Sequence, residues 1–174
     1  MAREREPRIS RKPAPGHWPQ LGGEIRGGRH VLPVRVYYED TDFTGIVYHA
    51  SFLRFMERGR TEYMRVIGAG RREWFEQAAG EAPGFGFVVR SMRIDYRQPA
   101  HMDDVLEILT EPEEVKGASV TVLQRVTRER EVLVEAHVRV AFVAGGRARP
   151  IPKPLRRAMQ ADRERVSDTA GPSR

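Results

Sequence analysis

The sequence predicts an α+β fold in which one long helix packs on a five-stranded antiparallel sheet. Three observations support this prediction. An amphipathic helical pattern covers residues 50–67, four later segments alternate apolar and polar residues, and the links between those segments are short. Links of a few residues join antiparallel neighbours and leave no room for a crossover helix between parallel strands.

The first half of the fold is a strand followed by the long helix. The stretch VLPVRVYYE, residues 31–39, alternates as a strand does, and a loop, DTDFTG, separates it from the helix. On the helix, Phe52, Met56, Gly59 and Tyr63 recur at steps of four and three residues, which places them on one apolar stripe. A glycine inside a helix costs about 1 kcal/mol relative to alanine. We therefore expect Gly59 to permit close approach of a neighbouring backbone.

The second half of the chain contains the remaining strands. After a short predicted helix at 71–80 and a turn rich in Pro and Gly, strands are predicted over 86–97, 104–111, 118–129 and 131–144. The edges of such a sheet present unpaired backbone groups, which proteins often satisfy by pairing with a second copy. We expect a homodimer joined through the sheet edge, or a homotetramer built from such dimers.

The composition of the 174 residues excludes several kinds of site. The absence of cysteine rules out disulfides, thiolate metal sites and a cysteine nucleophile. No apolar run approaches the roughly 18 residues that a membrane span requires, and the N-terminus lacks the apolar segment of a secretory signal. We expect one domain in the cytoplasm.

The positive charge lies mainly at the two ends of the chain. The net charge is +6, but residues 1–32 and 147–174 contribute +4 and +5, which leaves residues 33–146 at −3. Because the central part is slightly acidic, we expect no nucleic-acid partner. The predicted organisation is a disordered basic extension at 1–30, a folded domain at 31–157 and a polar tail at 158–174.

The loop before the helix allows three interpretations. Asp40, Asp42 and Gly45 match positions one, three and six of a calcium loop, but position twelve is Ser51 where a bidentate Glu is needed. Asp40, Asp42 and Thr44 also have the DxDxT spacing of the haloacid dehalogenase phosphatases, which use magnesium and a parallel sheet. In the third interpretation, Asp42 lies beside a helix N-terminus whose N–H groups stabilise a developing oxyanion.

Several motifs together resemble a known family. The runs YYEDTD, GIVYHA, ERGRTE and PAHMDDVLEI occur in this order between residues 37 and 108. They are similar to those of the hotdog-fold acyl-CoA thioesterases of the 4-hydroxybenzoyl-CoA thioesterase superfamily, and most similar to the Tol-Pal-associated branch. The resemblance covers about residues 32–155 and implies that the protein hydrolyses acyl-CoA to a free acid and CoA.

The resemblance also implies roles for individual residues. Asp42 is the catalytic carboxylate, acting as a general base or a nucleophile, and the backbone N–H of His49 polarises the thioester carbonyl. The His49 side chain and Tyr38 are further catalytic residues, whereas Asp40 is expected to be a turn or capping residue. No metal or cofactor is implied. The expected substrate-binding residues are Phe43, Thr44, Gly45, Val47, Tyr48, Glu57, Arg90 and Arg93.

Some features of the substrate and partners stay open. The phosphates of CoA should be bordered by cations, for which Arg97, Arg128 and Lys116 are further candidates. Phe43 and Thr44 occupy positions where small residues or Pro are frequent in the family, so the acyl preference is undetermined. The acyl group could also be carried by acyl carrier protein, and association with the inner membrane face is a further expectation. A non-catalytic module that binds acyl-CoA or acyl carrier protein is the alternative function, followed by a magnesium-dependent phosphatase.

Overall fold

The computed structural model describes residues 19–68 and 86–169, which form three helices and seven strands. In chain order the elements are α1 (Pro19–Gly22), β1 (Glu24–Arg26), β2 (Arg29–Arg35), α2 (His49–Gly68), β3 (Gly86–Tyr96), β4 (Val105–Val115), β5 (Ser119–Arg128), β6 (Glu131–Ala144), β7 (Arg147–Ala148) and α3 (Lys153–Thr169). A 3₁₀ turn, Tyr38–Asp40, lies between β2 and α2.

The strands form one antiparallel sheet in the order β1-β2-β4-β5-β6-β3, and β7 pairs with β6. The predicted α+β architecture of one long helix on an antiparallel sheet is confirmed. The sheet is larger than predicted, because the short strands β1 and β7 add to the five strands read from the sequence. Strand β3 follows α2 in the chain but pairs with β6, which places it at the end of the sheet opposite β1 and β2.

The apolar stripe of α2 is confirmed by its burial. Phe52, Met56, Gly59 and Tyr63 are all buried, and they pack with the inner face of the sheet. A Cβ atom built on Gly59 would lie 2.8 Å from Cγ2 of Ile108. Glycine is therefore required here by close approach, although the nearest atoms belong to side chains of β4 and β5 and not to their backbones.

The C-terminal part differs from the sequence prediction. Residues 153–169 form α3, where the sequence predicts a polar tail beginning at 158. Leu155 and Met159 are buried against the core. The third inward position is Asp162, whose charge breaks the apolar pattern that marks a helix in sequence. The helix thus has too few apolar residues to be recognised without its partners.

Asp162 is held in the interior by two donors. Its carboxylate accepts a hydrogen bond from the Tyr63 hydroxyl at 3.0 Å and one from Arg165 at 2.8 Å. Burial is the main cause that raises the pKa of Tyr63, and the neighbouring Asp162 raises it further, so the phenol stays protonated and donates. This pair connects α3 to α2.

The N-terminal part also differs from the predicted disordered extension at 1–30. Residues 24–35 form the β1–β2 hairpin, with Gly27 and Gly28 at positive φ in its turn. A Cβ on Gly28 would lie 2.2 Å from the carbonyl oxygen of Asp162. The hairpin therefore packs directly on α3, and this tertiary contact is invisible in the sequence.

Two further predictions concern the short helix after α2 and the absence of a membrane span. The helix predicted at 71–80 lies outside the described residues. None of the helices in the described part of the chain combines the length and the apolar character that crossing a bilayer requires.

Candidate active site

The loop between β2 and α2 is anchored by Asp40, the first aspartate of DTDFTG. Its side chain is only 3% exposed. Oδ2 accepts the backbone N–H of Tyr37 at 3.0 Å, Oδ1 accepts Arg54 at 3.0 Å, and the Asp40 carbonyl accepts the N–H of Tyr48 at 2.9 Å. Asp40 thus connects both ends of the loop, in agreement with the turn role expected from the sequence.

Asp42 lies on the exposed turn that follows. Its backbone N–H donates to the carbonyl of Ile46 at 2.9 Å, and its carbonyl accepts the N–H of Gly45 at 3.0 Å. Gly45 has φ of 82°, a left-handed conformation that glycine adopts without steric cost. The turn therefore holds the backbone of Asp42 from both sides while its side chain stays accessible.

The carboxylate of Asp42 is stabilised in its charged form. Oδ1 accepts the hydroxyl of Thr44 at 2.6 Å and the backbone N–H of Thr44 at 2.8 Å. These two hydrogen bonds, the hydroxyl first, lower the pKa of Asp42 below its ordinary value. Asp42 is consequently ionised at neutral pH, as a base or nucleophile must be.

The start of α2 presents unpaired donors beside this carboxylate. The N–H groups of Tyr48 and Ser51 donate to carbonyls in the loop, whereas the N–H groups of His49 and Ala50 have no acceptor among residues 19–68 and 86–169. First-turn N–H groups and the helix dipole together favour a negative charge at this position. The neighbouring N–H of Val47 bonds Ala100 at 2.8 Å and fixes the loop to the sheet.

Asp42 and His49 line one open cavity of about 410 Å³, together with Val47, Phe52, Tyr96 and Arg97. Tyr96 closes one side of it. Its hydroxyl donates to the carbonyl oxygen of His49 at 3.2 Å, and its ring meets the His49 ring edge-on with centroids 6.4 Å apart. The cavity therefore combines a carboxylate, the first residue of α2 and an aromatic wall.

Tyr96 is a site residue that the sequence alone did not indicate. It is the last residue of β3, and its only signal in the sequence is its type at the end of a strand. The antiparallel placement of β3 brings it to the start of α2, which lies 47 residues earlier in the chain. A long-range juxtaposition of this kind has no local pattern.

The other residues predicted around the thioester are distributed along the loop. Val47 lines the cavity, and Thr44 and Gly45 shape the turn that carries Asp42. The Tyr48 ring contacts the His49 ring at a tilt of 58°, with ring centroids 4.3 Å apart. Phe43 is fully exposed.

Tyr38 lies farther out than the other predicted catalytic residues. It is 81% exposed in the single chain and is not among the described residues that line the Asp42 cavity. Its role stays a prediction.

Glu57 lies two turns beyond the start of α2 and borders a second cavity of about 430 Å³. That cavity has a mainly apolar wall that includes Met64, Val89 and Val140. The Glu57 carboxylate accepts the hydroxyl of Thr61 at 2.7 Å. The structure thus separates Glu57 from the cavity that holds Asp42.

The predicted CoA-binding cations occupy varied positions. Arg90 and Arg93 are exposed on β3, and Arg93 lies 3.8 Å from Asp95. Arg97 lines the Asp42 cavity and donates to Glu135 at 2.7 Å. Arg128 is paired with Asp104 at 2.8 Å, and Lys116 with Glu114 at 3.0 Å. Among the described residues, Arg97 is thus the predicted cation that lines the Asp42 cavity.

The calcium and phosphatase interpretations find no structural support. The carboxylate of Asp40 is buried and already bonded to Tyr37 and Arg54, so it does not face a shared ion with Asp42. Within the described ranges, no group of three or more His, Asp or Glu is arranged to hold a metal ion. The antiparallel sheet also differs from the parallel sheet that the DxDxT phosphatases use.

Comparison with known proteins agrees with the architecture. A family model for the thioesterase-like superfamily matches residues 36–159. The acyl-CoA thioesterase YbgC of Haemophilus influenzae is 45% identical over 123 residues, which cover 71% of this chain and 87% of the relative. Identity at this level over most of a relative is strong support for common descent.

Solved structures show the same fold. A probable thioesterase from Bartonella henselae has a TM-score of 0.61 at 36% identity, covering 71% of this chain and 98% of that one. A thioesterase from Thermus thermophilus, crystallised with coenzyme A and zinc, has a TM-score of 0.64 at 26% identity, covering 77% and 93%. With the family match over residues 36–159, these likenesses show that the chain belongs to the thioesterase-like superfamily and has its hotdog fold.

Proposed function

We propose that this protein is an acyl-CoA thioesterase that hydrolyses the thioester to a free acid and CoA. One observation carries the proposal: Asp42, with its ionised carboxylate, and His49, whose backbone N–H at the start of α2 has no acceptor among the described residues, line the same cavity. Acyl transfer to water needs both a group that activates the nucleophile and a group that stabilises the oxyanion.

In the proposed reaction the thioester carbonyl oxygen accepts the N–H of His49, which draws electron density away from the carbonyl carbon. Asp42 takes a proton from a water molecule as the water oxygen attacks that carbon, or it attacks the carbon itself and the resulting anhydride is hydrolysed. The tetrahedral intermediate collapses with cleavage of the C–S bond, and CoA leaves as its thiolate. The thiolate then takes up the proton, so that one water molecule is consumed for each acid and thiol formed.

The electrostatics of the site suit this sequence of steps. The low pKa of Asp42 keeps the carboxylate charged, and a thiolate is a good enough leaving group that a weak base suffices. The scheme assigns no step to a metal or cofactor. His49 contributes its backbone N–H, and its ring, placed between Tyr48 and Tyr96, borders the thioester as a second polar group.

The proposal extends to the family branch, the oligomeric state, the acyl carrier and the location of the protein. The motif run from Tyr37 to Ile108 supports membership of the Tol-Pal-associated branch. The exposed edge strand β3, with Val88 and Val89 half exposed, supports a dimer in which Tyr38 and the arginines of β3 approach a site from the partner copy. Light scattering measures the molar mass in solution and so tests for this dimer directly. Acyl carrier protein as an alternative carrier, and the inner membrane face as a location, rest on the resemblance.

The direct test is release of free CoA thiol from short-chain, long-chain and aromatic acyl-CoAs, with and without EDTA. The proposal expects hydrolysis of at least one class that EDTA does not inhibit. If all classes are bound but none is cleaved, the protein is the non-catalytic binding module instead. A parallel assay with the same acyl groups on acyl carrier protein identifies the preferred carrier.

A further inference from the structure

The hydrogen bonds of the Asp42 carboxylate are strongly asymmetric. Both donors of Thr44, its backbone N–H at 2.8 Å and its hydroxyl at 2.6 Å, converge on Oδ1. Among the described residues, these are the two hydrogen bonds of ordinary length to the carboxylate, and the backbone N–H of Ile46 makes a weaker interaction that also lowers its pKa. The two oxygens of this carboxylate are therefore chemically different before any substrate is bound.

From this geometry we infer that Thr44 is a positioning residue, which fixes the carboxylate through Oδ1 and leaves Oδ2 as the atom that activates water or attacks the thioester. The inference rests on the proposed function and deepens it, because it assigns the reacting atom and the residue that presents it. Thr44 itself touches no reacting atom in this arrangement.

Two donors from one residue restrict the carboxylate more than one donor would. A single hydrogen bond leaves the group free to rotate about it, whereas two donors on one oxygen define both the side-chain rotamer and the plane of the carboxylate. The hydroxyl bond at 2.6 Å has the short length of a charge-assisted bond. Because the backbone of Asp42 is held by Gly45 and Ile46, this side chain is fixed on a rigid frame.

The restriction matters because Asp42 is exposed to solvent. An exposed carboxylate without such bonds samples several rotamers, and a reacting group misplaced by about 1 Å can lose a hundredfold in rate. The same bonds also make the carboxylate a weaker base, so Thr44 has two opposing effects. We infer that orientation outweighs basicity, since the group is already ionised at neutral pH and gains little from a stronger affinity for protons.

The rival explanation is that Thr44 only shapes the turn. Thr41 provides a matched control, because its hydroxyl lies in the same loop but donates to the backbone carbonyl of Tyr38 at 2.8 Å. Thr41→Val removes one hydroxyl and one hydrogen bond from the loop without touching Asp42. Thr44→Val removes the hydroxyl that binds the carboxylate and keeps the side-chain volume. Thr44→Ser restores that hydroxyl and serves as the conservative rescue.

The experiment measures kcat and KM across pH for these variants with the acyl-CoA that the wild type cleaves fastest. Thr44→Val should lose about three- to tenfold in kcat, which corresponds to one hydrogen bond of about 0.5–1.5 kcal/mol. KM should stay unchanged, and the acid limb of the kcat/KM profile should move to higher pH. Thr44→Ser should restore both properties, and Thr41→Val should keep the wild-type values.

A second readout does not depend on activity. In the full-length protein labelled with ¹³C at the aspartate carboxyl carbons, the Asp42 signal is identified by its absence in Asp42→Asn. Its titration midpoint should rise in Thr44→Val and return in Thr44→Ser. In the Asp42→Asn background, Thr44→Val should cause no further loss of rate, because the group that it positions is gone.

The outcomes separate the two proposals. If Asp42→Asn is inactive while Thr44→Val retains or exceeds the wild-type kcat, the positioning role is wrong and the proposed function stands. Equal losses of kcat in Thr41→Val and Thr44→Val, with no rescue by Thr44→Ser, would also overturn the positioning role. Thr44 would then only shape the turn. If Asp42→Asn is fully active, the proposed function itself fails. An unchanged titration midpoint of Asp42 in Thr44→Val would show, independently of catalysis, that the Thr44 hydroxyl does not act on the carboxylate.

Discussion

The two aspartates of DTDFTG should separate stability from catalysis when each is replaced. Asp40 is buried and bonded to Tyr37 and Arg54, whereas Asp42 is exposed and faces the cavity. We predict that Asp40→Ala destabilises the fold and leaves a measurable kcat. Asp42→Asn should do the reverse, because its carboxylate supports the reaction and not the loop.

The loss in Asp40→Ala follows from the two hydrogen bonds. The Tyr37 N–H, 3.0 Å from Oδ2 in a part-buried hydrogen bond, is left without its acceptor, which costs about 1–3 kcal/mol according to how far water replaces that acceptor. The side chain of Arg54 is 56% exposed, so solvent screening reduces its ion pair with Asp40 to about 0–1 kcal/mol. The sum is about 1–4 kcal/mol. Asp40→Asn should lose about 1 kcal/mol, because the amide oxygen can still accept the Tyr37 N–H.

Urea denaturation followed by circular dichroism measures this series at one fixed protein concentration. For a chain of this size each 1 kcal/mol lost from the free energy of unfolding lowers the melting temperature by about 2–4 °C. Asp40→Ala should therefore also melt at a lower temperature than the wild type. A denaturation midpoint equal to that of the wild type would refute the anchoring role. So would a stable Asp40→Ala protein that lacks all activity, since this would make Asp40 a catalytic carboxylate.

Two further predictions concern the parts of the fold that the sequence did not reveal. Tyr63→Phe removes the donor to the buried Asp162 and should lower the free energy of unfolding by about 1–3 kcal/mol. Amide hydrogen exchange in α3 should become faster. Unchanged exchange in α3 would contradict the coupling of α2 and α3 through this hydrogen bond. Burial lowers the pKa of His30, although its hydrogen bond to the Gly22 carbonyl and the nearby Glu62 both raise it. The unfolded chain therefore binds a proton at this histidine more readily than the folded chain does. The free energy of unfolding should consequently fall as pH drops below about 6.5. His30→Gln should flatten that part of the pH dependence of the urea midpoint, and an equally steep dependence in the variant would exclude His30 as its source.

The sequence predicted those elements whose local pattern agrees with their tertiary contacts. The stripe of Phe52, Met56 and Tyr63 has the helical period because one face of α2 lies on the sheet. The strands from β3 to β6 alternate because each contributes to an antiparallel sheet. Asp40 and Asp42 were assigned different roles through a family resemblance, and the structure gives them different environments.

The parts that were not predicted depend on contacts between distant segments. Helix α3 buries an aspartate whose partner, Tyr63, lies 99 residues earlier, so its inward face is not uniformly apolar. The β1–β2 hairpin is held by the packing of Gly28 on that helix. Tyr96 reaches His49 because β3 pairs with β6 and not with its chain neighbour. None of these relations leaves a periodic signal in the chain.

The most direct test of the proposed chemistry is the rate of CoA thiol release by wild type and Asp42→Asn at pH 7 in the presence of EDTA. We predict metal-independent hydrolysis by the wild type and loss of turnover by about a thousandfold or more in the variant, with the same fold by circular dichroism. Hydrolysis by Asp42→Asn at the wild-type rate would contradict the assignment of Asp42 as the group that activates water or attacks the thioester.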